Sequence, residues 1–97
     1  MKRKPGDSTF EALWNQGMTV TPGSRLGARW LGYPGDPLRF HACCAVVDES
    51  VMCGNRPMRA MDLVRFARVC HTAAKASVLS FEDDSAPPSF VTLEWRP

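Results

Sequence analysis

Between Arg39 and Cys70 the spacing of apolar residues changes from every second position to every third or fourth, and this change constrains the fold more than any single side chain. From Leu38 to Val47 the pattern alternates, with Phe40, Ala42, Cys44 and Val46 on one face and His41, Cys43, Ala45 and Val47 on the other. Both faces are largely apolar, which predicts a strand in the middle of its sheet. Asp48-Glu49-Ser50 then reads as a turn, and Val51-Met52-Cys53 as a short returning strand ended by Gly54-Asn55-Arg56-Pro57. From Ala60 to Ala74 the apolar residues Leu63, Phe66, Ala67, Cys70 and Ala74 keep helical spacing. The expected unit is strand, turn, strand, helix.

The flanking segments extend this pattern. Ser8-Thr9-Phe10-Glu11 has the spacing of a capping box, with Ser8 as cap, and predicts a helix to about Gln16 whose apolar stripe is Phe10, Leu13 and Trp14. Pro22-Gly23 marks a turn, Arg25 to Gly32 reads as a strand, and Tyr33-Pro34-Gly35-Asp36-Pro37 as a loop. Ser77–Phe81 and Ser89–Trp95 read as a terminal strand pair, with the prolines of the intervening EDDSAPP loop excluding regular pairing there. The fold expected is α+β: a small antiparallel sheet of four or five strands, one amphipathic helix packed on it, and a short N-terminal helix closing an edge. Residues 1–7 form a flexible basic tail and 8–97 a single domain, since 97 residues rarely divide into two stable cores. The expected core includes Leu13, Trp14, Leu26, Trp30, Phe40, Ala42, Cys44, Val46, Val51, Leu63, Phe66, Ala67, Cys70, Leu79 and Phe81.

An apolar fraction of 44% is enough for a modest core. The basic start MKRKPGDS leads into polar residues rather than an apolar signal segment, and no run is long enough to cross a bilayer. A soluble intracellular protein, cytoplasmic or nuclear, is expected, with its four cysteines reduced. Charge is unevenly spread: eleven of twelve Lys and Arg, but only six of ten Asp and Glu, lie in residues 1–81. A mildly basic body with an acidic C-terminal hairpin can steer an anionic ligand to one face.

His41, Cys43, Cys44, Cys53, Cys70 and His71 include the ligand types of a zinc site, but they lack paired short Cys-x2-Cys knuckles. Periodicity places His41 and Cys44 on opposite strand faces, and His71 off the stripe that carries Cys70. Cys44, Cys53 and Cys70 therefore read as small buried hydrophobes, with no metal and no cofactor expected. Cys70-His71 is adjacent in sequence only, and phosphate loops, dinucleotide fingerprints and HExxH are absent. No catalytic residue and no enzymatic activity are expected.

Cationic residues make the positive case. Arg65, Arg68 and Lys75 lie opposite the apolar stripe of the long helix, with Arg59 at its entry and Arg56 in the turn before it. Arginines one turn apart can bridge successive phosphates. Lys2, Arg3 and Lys4 in the tail add to this set, and Tyr33, in a Pro-Gly loop, is a candidate aromatic contact.

Read in order, FEALWNQGMTVTPGSRL, FHACCAVVDESVMCG and RAMDLVRFARVC resemble the RAMA domain, a small module of restriction systems and chromatin-linked proteins. The matching positions are Leu13, Gly17, Pro22, Gly23 and Leu26, then Ala42, Val46, Asp48, Val51 and Gly54, then Leu63 and Ala67. This chain has SFVTLEW where that family closes on a Gly-Trp pair. The resemblance implies recognition of modified, especially adenine-methylated, DNA.

The function expected is a non-enzymatic DNA-binding or DNA-associated accessory module that contacts phosphates through the arginine-bearing helix face. The alternative is a small protein-interaction module, an inhibitor or adaptor, docking through a sheet edge or aromatic patch. The partner is thus DNA or another protein, not a membrane.

Overall fold

The computed structural model describes residues 4–83 and 85–94. In chain order the elements are α1 (Asp7–Asn15), β1 (Thr19–Pro22), a 3-10 turn (Ser24–Leu26), β2 (Trp30–Tyr33), β3 (Cys44–Asp48), α2 (Glu49–Cys53), α3 (Ala60–Thr72), β4 (Ala76–Asp83) and β5 (Ala86–Leu93). The strands form one five-stranded sheet in the order β1-β2-β3-β4-β5, so the fold is α+β and β3 lies at its centre, as its two apolar faces require. Three pairings are antiparallel, while β3 and β4 run parallel with Cys44 opposite Ala76 and Val47 opposite Leu79. A parallel pair needs a crossover, and α2 and α3 supply it.

The alternation along β3 divides the core in two. Ala45 and Val47 pack with Ala28, Phe66, Cys70 and Leu79 beneath α3. Cys44 and Val46 pack with Leu13 of α1 on the opposite face, joined by Met18, Val20, Trp30, Val78 and Phe90. The N-terminal helix therefore covers a face of the sheet rather than closing an edge.

Several local expectations are corrected. The Leu38–Val47 strand begins only at Cys44. Val51-Met52-Cys53 is helix, because the Asp48 carboxylate accepts from the Val51 N–H at 3.0 Å and caps a helical turn that Glu49 opens. Ser8 is not the cap of α1: Gly6 holds that position with a φ of 93°, and Glu82 of β4 accepts from the Gly6 and Thr9 N–H groups. The segment read as one strand from Arg25 to Gly32 is instead the 3-10 turn and the start of β2, while β1 lies before it. Pro87 and Pro88 lie within β5, where an edge strand tolerates the missing donors beside the irregular register at Phe81 and Asp83. Of the expected core, Trp14, Phe40, Val51 and Phe81 are exposed. Trp95 lies outside the described residues.

Candidate functional site

The sheet register brings three chemically active side-chain types to one edge. Gly32 of β2 pairs with Cys44, and Cys44 pairs with Ala76 of β4. One residue beyond this row, the Cys43 N–H donates to the Gly32 carbonyl at 2.9 Å, and the Ala76 N–H donates to the Cys43 carbonyl at 3.0 Å. Tyr33, Cys43 and Lys75 therefore stand side by side at the end of three adjacent strands, spaced about 5 Å from strand to strand. His41 precedes Cys43 by two residues in the loop that enters the same edge.

Each position has a local cause. Gly32 is needed beside Tyr33 because a Cβ there would come within 2.6 Å of the Met18 methyl and 2.8 Å of the Cys44 sulfur. The loop carrying His41 is tied by Asp36, whose carboxylate accepts from Leu38 N–H at 2.9 Å and whose carbonyl accepts from Arg39 and Phe40 N–H. Lys75 follows the C-terminus of α3, where Ala74 takes a left-handed φ of 57° and the Lys75 N–H donates to the Cys70 carbonyl at 2.8 Å. Tyr33 and Lys75 are half-buried and His41 is exposed. The edge is thus an open surface holding a phenol, an imidazole and an ammonium, groups that move protons and stabilise negative charge.

The thiols contribute little chemistry. Burial, together with neighbouring Cys43, pushes the Cys44 thiol up to about 11, and burial pushes Cys70 to about 11. Both stay protonated near neutrality, so neither is an activated nucleophile. Cys43 is exposed. Among the described residues no group of three or more His, Cys, Asp or Glu is placed to hold a metal ion.

The cationic residues expected to share one face are separated. Arg56 is engaged by Asp62, at 2.8 and 2.6 Å to its two carboxylate oxygens, and Arg59 stands at the N-terminus of α3. Lys75 lies at the other end of that helix, about 20 Å away. Arg65 and Arg68 are exposed between them, Lys4 is exposed near α1, and Lys2 and Arg3 lie outside the described residues. Of the described members of that set, Tyr33 and Lys75 reach the edge described above, and the sequence pattern does not single out His41 as their companion. One signal is present even so: the one tyrosine of the chain and a histidine bracket a Pro-Gly-Asp-Pro loop.

A hollow of about 380 Å³ lies at the opposite end of the parallel pair, lined by residues that include Asp48, Ser80 and Glu82. Asp48 there is ion-paired with Arg29, and Glu82 is committed to capping α1. No helix among the described residues is long and apolar enough to cross a membrane.

Comparison with known proteins gives a family match. The family model described as tRNA intron endonuclease, catalytic C-terminal domain, matches residues 8–87. The tRNA-splicing endonuclease subunit SEN34 of Saccharomyces cerevisiae is 32% identical over 87 residues, covering 89% of this chain and 31% of the relative. The subunits named Sen34 of Mus musculus and Homo sapiens are 29% and 28% identical, each alignment covering 91% of this chain and 27% of the relative. The chain thus spans less than a third of the length of the curated relatives it matches.

These matches overturn the RAMA resemblance, because the segment that carried it, roughly residues 10–74, lies wholly inside the matched range. They also overturn the expectation of a non-enzymatic DNA-binding module: the matched family is catalytic, and its name specifies tRNA rather than DNA.

Proposed function

The chain belongs to the tRNA intron endonuclease family through its catalytic C-terminal domain, and we infer from this that it cleaves RNA at the edge formed by Tyr33, His41 and Lys75. The observation that supports the reading is the Gly32–Cys44–Ala76 row, which brings Tyr33 and Lys75, 42 positions apart, to one strand edge, with His41 two residues before Cys43 of that edge.

RNA contains its own nucleophile. A 2′-hydroxyl can attack the adjacent phosphorus in line, forming a bond to phosphorus as the bond to the 5′-oxygen breaks, which leaves a 2′,3′-cyclic phosphate and a 5′-hydroxyl. Such a reaction needs one group to take the 2′ proton, another to give a proton to the departing 5′-oxygen, and a cation beside the non-bridging oxygens. His41 and Tyr33 are the proton-transfer pair and Lys75 the cation in this reading. An open edge also suits a polymer better than a closed pocket would.

The relatives are named as subunits, and this chain acts in the same way, as one member of a larger protein assembly with intron-containing tRNA as its substrate class. The test uses that assembly, purified with the wild-type or variant chain. His41→Ala should slow cleavage at one junction by about 10²- to 10⁴-fold with RNA binding retained. Wild-type products should end in a cyclic phosphate. Undiminished cleavage by His41→Ala, Tyr33→Phe and Lys75→Ala would overturn the assignment.

A further inference from the structure

We propose that Phe40 is the stacking platform for a base flanking the cleaved phosphodiester, a specificity contact that rests on the reading of this edge as an RNA-cleaving site. Phe40 immediately precedes His41 and is 50% exposed, although a phenyl ring gains nothing from contact with water. Its position is not loose. The ring lies against Gly35, where a Cβ would come within 2.9 Å of a ring carbon, so Gly35 provides a flat backing. The Phe40 N–H is held by the Asp36 carbonyl at 3.0 Å, and the Leu38 N–H by the Asp36 carboxylate. The backbone that carries the ring is thus held by Asp36, one side of the ring meets Gly35, and half of the residue's surface is open.

The neighbours indicate what covers it. Arg39 and His41 flank the ring in sequence and both are exposed. Arginine and aromatic rings occur in protein interfaces as well, but this ring directly adjoins His41 of the edge read as RNA-cleaving, and an exposed ring beside the fixed charge of Arg39 suits single-stranded nucleic acid. Unstacked bases at a cleavage site offer faces that a ring can meet whatever their identity, so the contact would position the strand without reading its sequence. Leu38, 94% exposed, lies on the same loop and would widen the apolar surface.

The experiment uses the assembled enzyme and an intron-containing tRNA with a 2′-deoxynucleotide at the cleavage position, which removes the nucleophile and isolates binding. Phe40→Ala and Phe40→Leu should weaken binding by about 5- to 100-fold, with a matching rise in KM on cleavable RNA, whereas Phe40→Trp should retain both. An abasic nucleotide beside the cleaved bond should remove the difference between wild type and Phe40→Ala. Three results would overturn the proposal: wild-type binding by Phe40→Ala, a loss equally large on abasic RNA, or a loss that follows release of the chain from its assembly, which would make Phe40 a protein contact. His41→Ala keeps the two readings apart. If it cleaves normally the active-site reading fails, whereas a loss confined to cleavage leaves Phe40 to be judged by binding.

Discussion

Glu82 and Thr9, 73 positions apart, are joined by two hydrogen bonds: the Glu82 carboxylate accepts from the Thr9 N–H at 2.7 Å and from its hydroxyl at 2.8 Å. A carboxylate at the end of β4 therefore replaces the local side chain that usually caps a helix and pins α1 to the sheet. Thr9 is fully buried, so its hydroxyl has no water to fall back on. Glu82→Ala should destabilise the domain by about 1–3 kcal/mol, and Thr9→Val by about 1 kcal/mol, as measured by urea unfolding. Loss of this size from Ser8→Ala instead would show that capping is local after all.

Asp62 predicts an acid-dependent loss of stability. Hydrogen bonds from Arg56, and next the Arg59 N–H, hold its carboxyl well below the usual carboxylate range. A group depressed on folding contributes stability above its unfolded value, near 4, and that contribution disappears as pH falls toward the folded value. Asp62→Asn should therefore be less stable than wild type at pH 7 and pH 5, with the gap in urea midpoint narrowing below about pH 4. A gap that stays constant down to pH 2.5 would show that Asp62 is not the group responsible.

The two-faced apolar pattern of Cys44–Val47 and the helical stripe Leu63, Phe66, Ala67 and Cys70 place the central strand and its covering helix correctly, because burial on defined faces is written directly into periodicity. Val51-Met52-Cys53 misleads for a physical reason: apolar, β-branched composition favours a strand locally, while the Asp48 cap decides for a helix. That error conceals the site. Read as a hairpin, the segment gives no crossover, and only a crossover makes β4 parallel to β3 and sets Lys75 beside Cys43. The exposure of Trp14 and Phe40 is equally hidden, since hydrophobicity does not say whether the chain or something else covers a ring.

The four thiols should differ sharply in reactivity. Cys44 and Cys70 are raised to about 11, largely by burial, and Cys53 is raised by burial and its contact with Asp62, whereas Cys43 is exposed. Iodoacetamide at pH 7.5 should therefore label Cys43 first in the native protein, and the other three only at the rate of unfolding, as followed by peptide mass spectrometry. Early labelling of Cys44 or Cys70 would show that the sheet opens locally at the edge that carries His41.

Ala74 predicts a stabilising substitution next to the site. Its φ of 57° costs an L-residue about 1–2 kcal/mol, a cost that glycine lacks, although glycine also raises the entropy of the unfolded chain. Ala74→Gly should then gain up to about 1 kcal/mol, raising Tm by about 4–8 °C, because the Lys75 N–H to Cys70 carbonyl bond depends on the turn and not on the alanine methyl. A lower Tm would mean that the methyl makes contacts worth more than the strain. A higher Tm with slower RNA cleavage would give the strained residue a purpose, holding Lys75 against the strand edge where a glycine would let it drift.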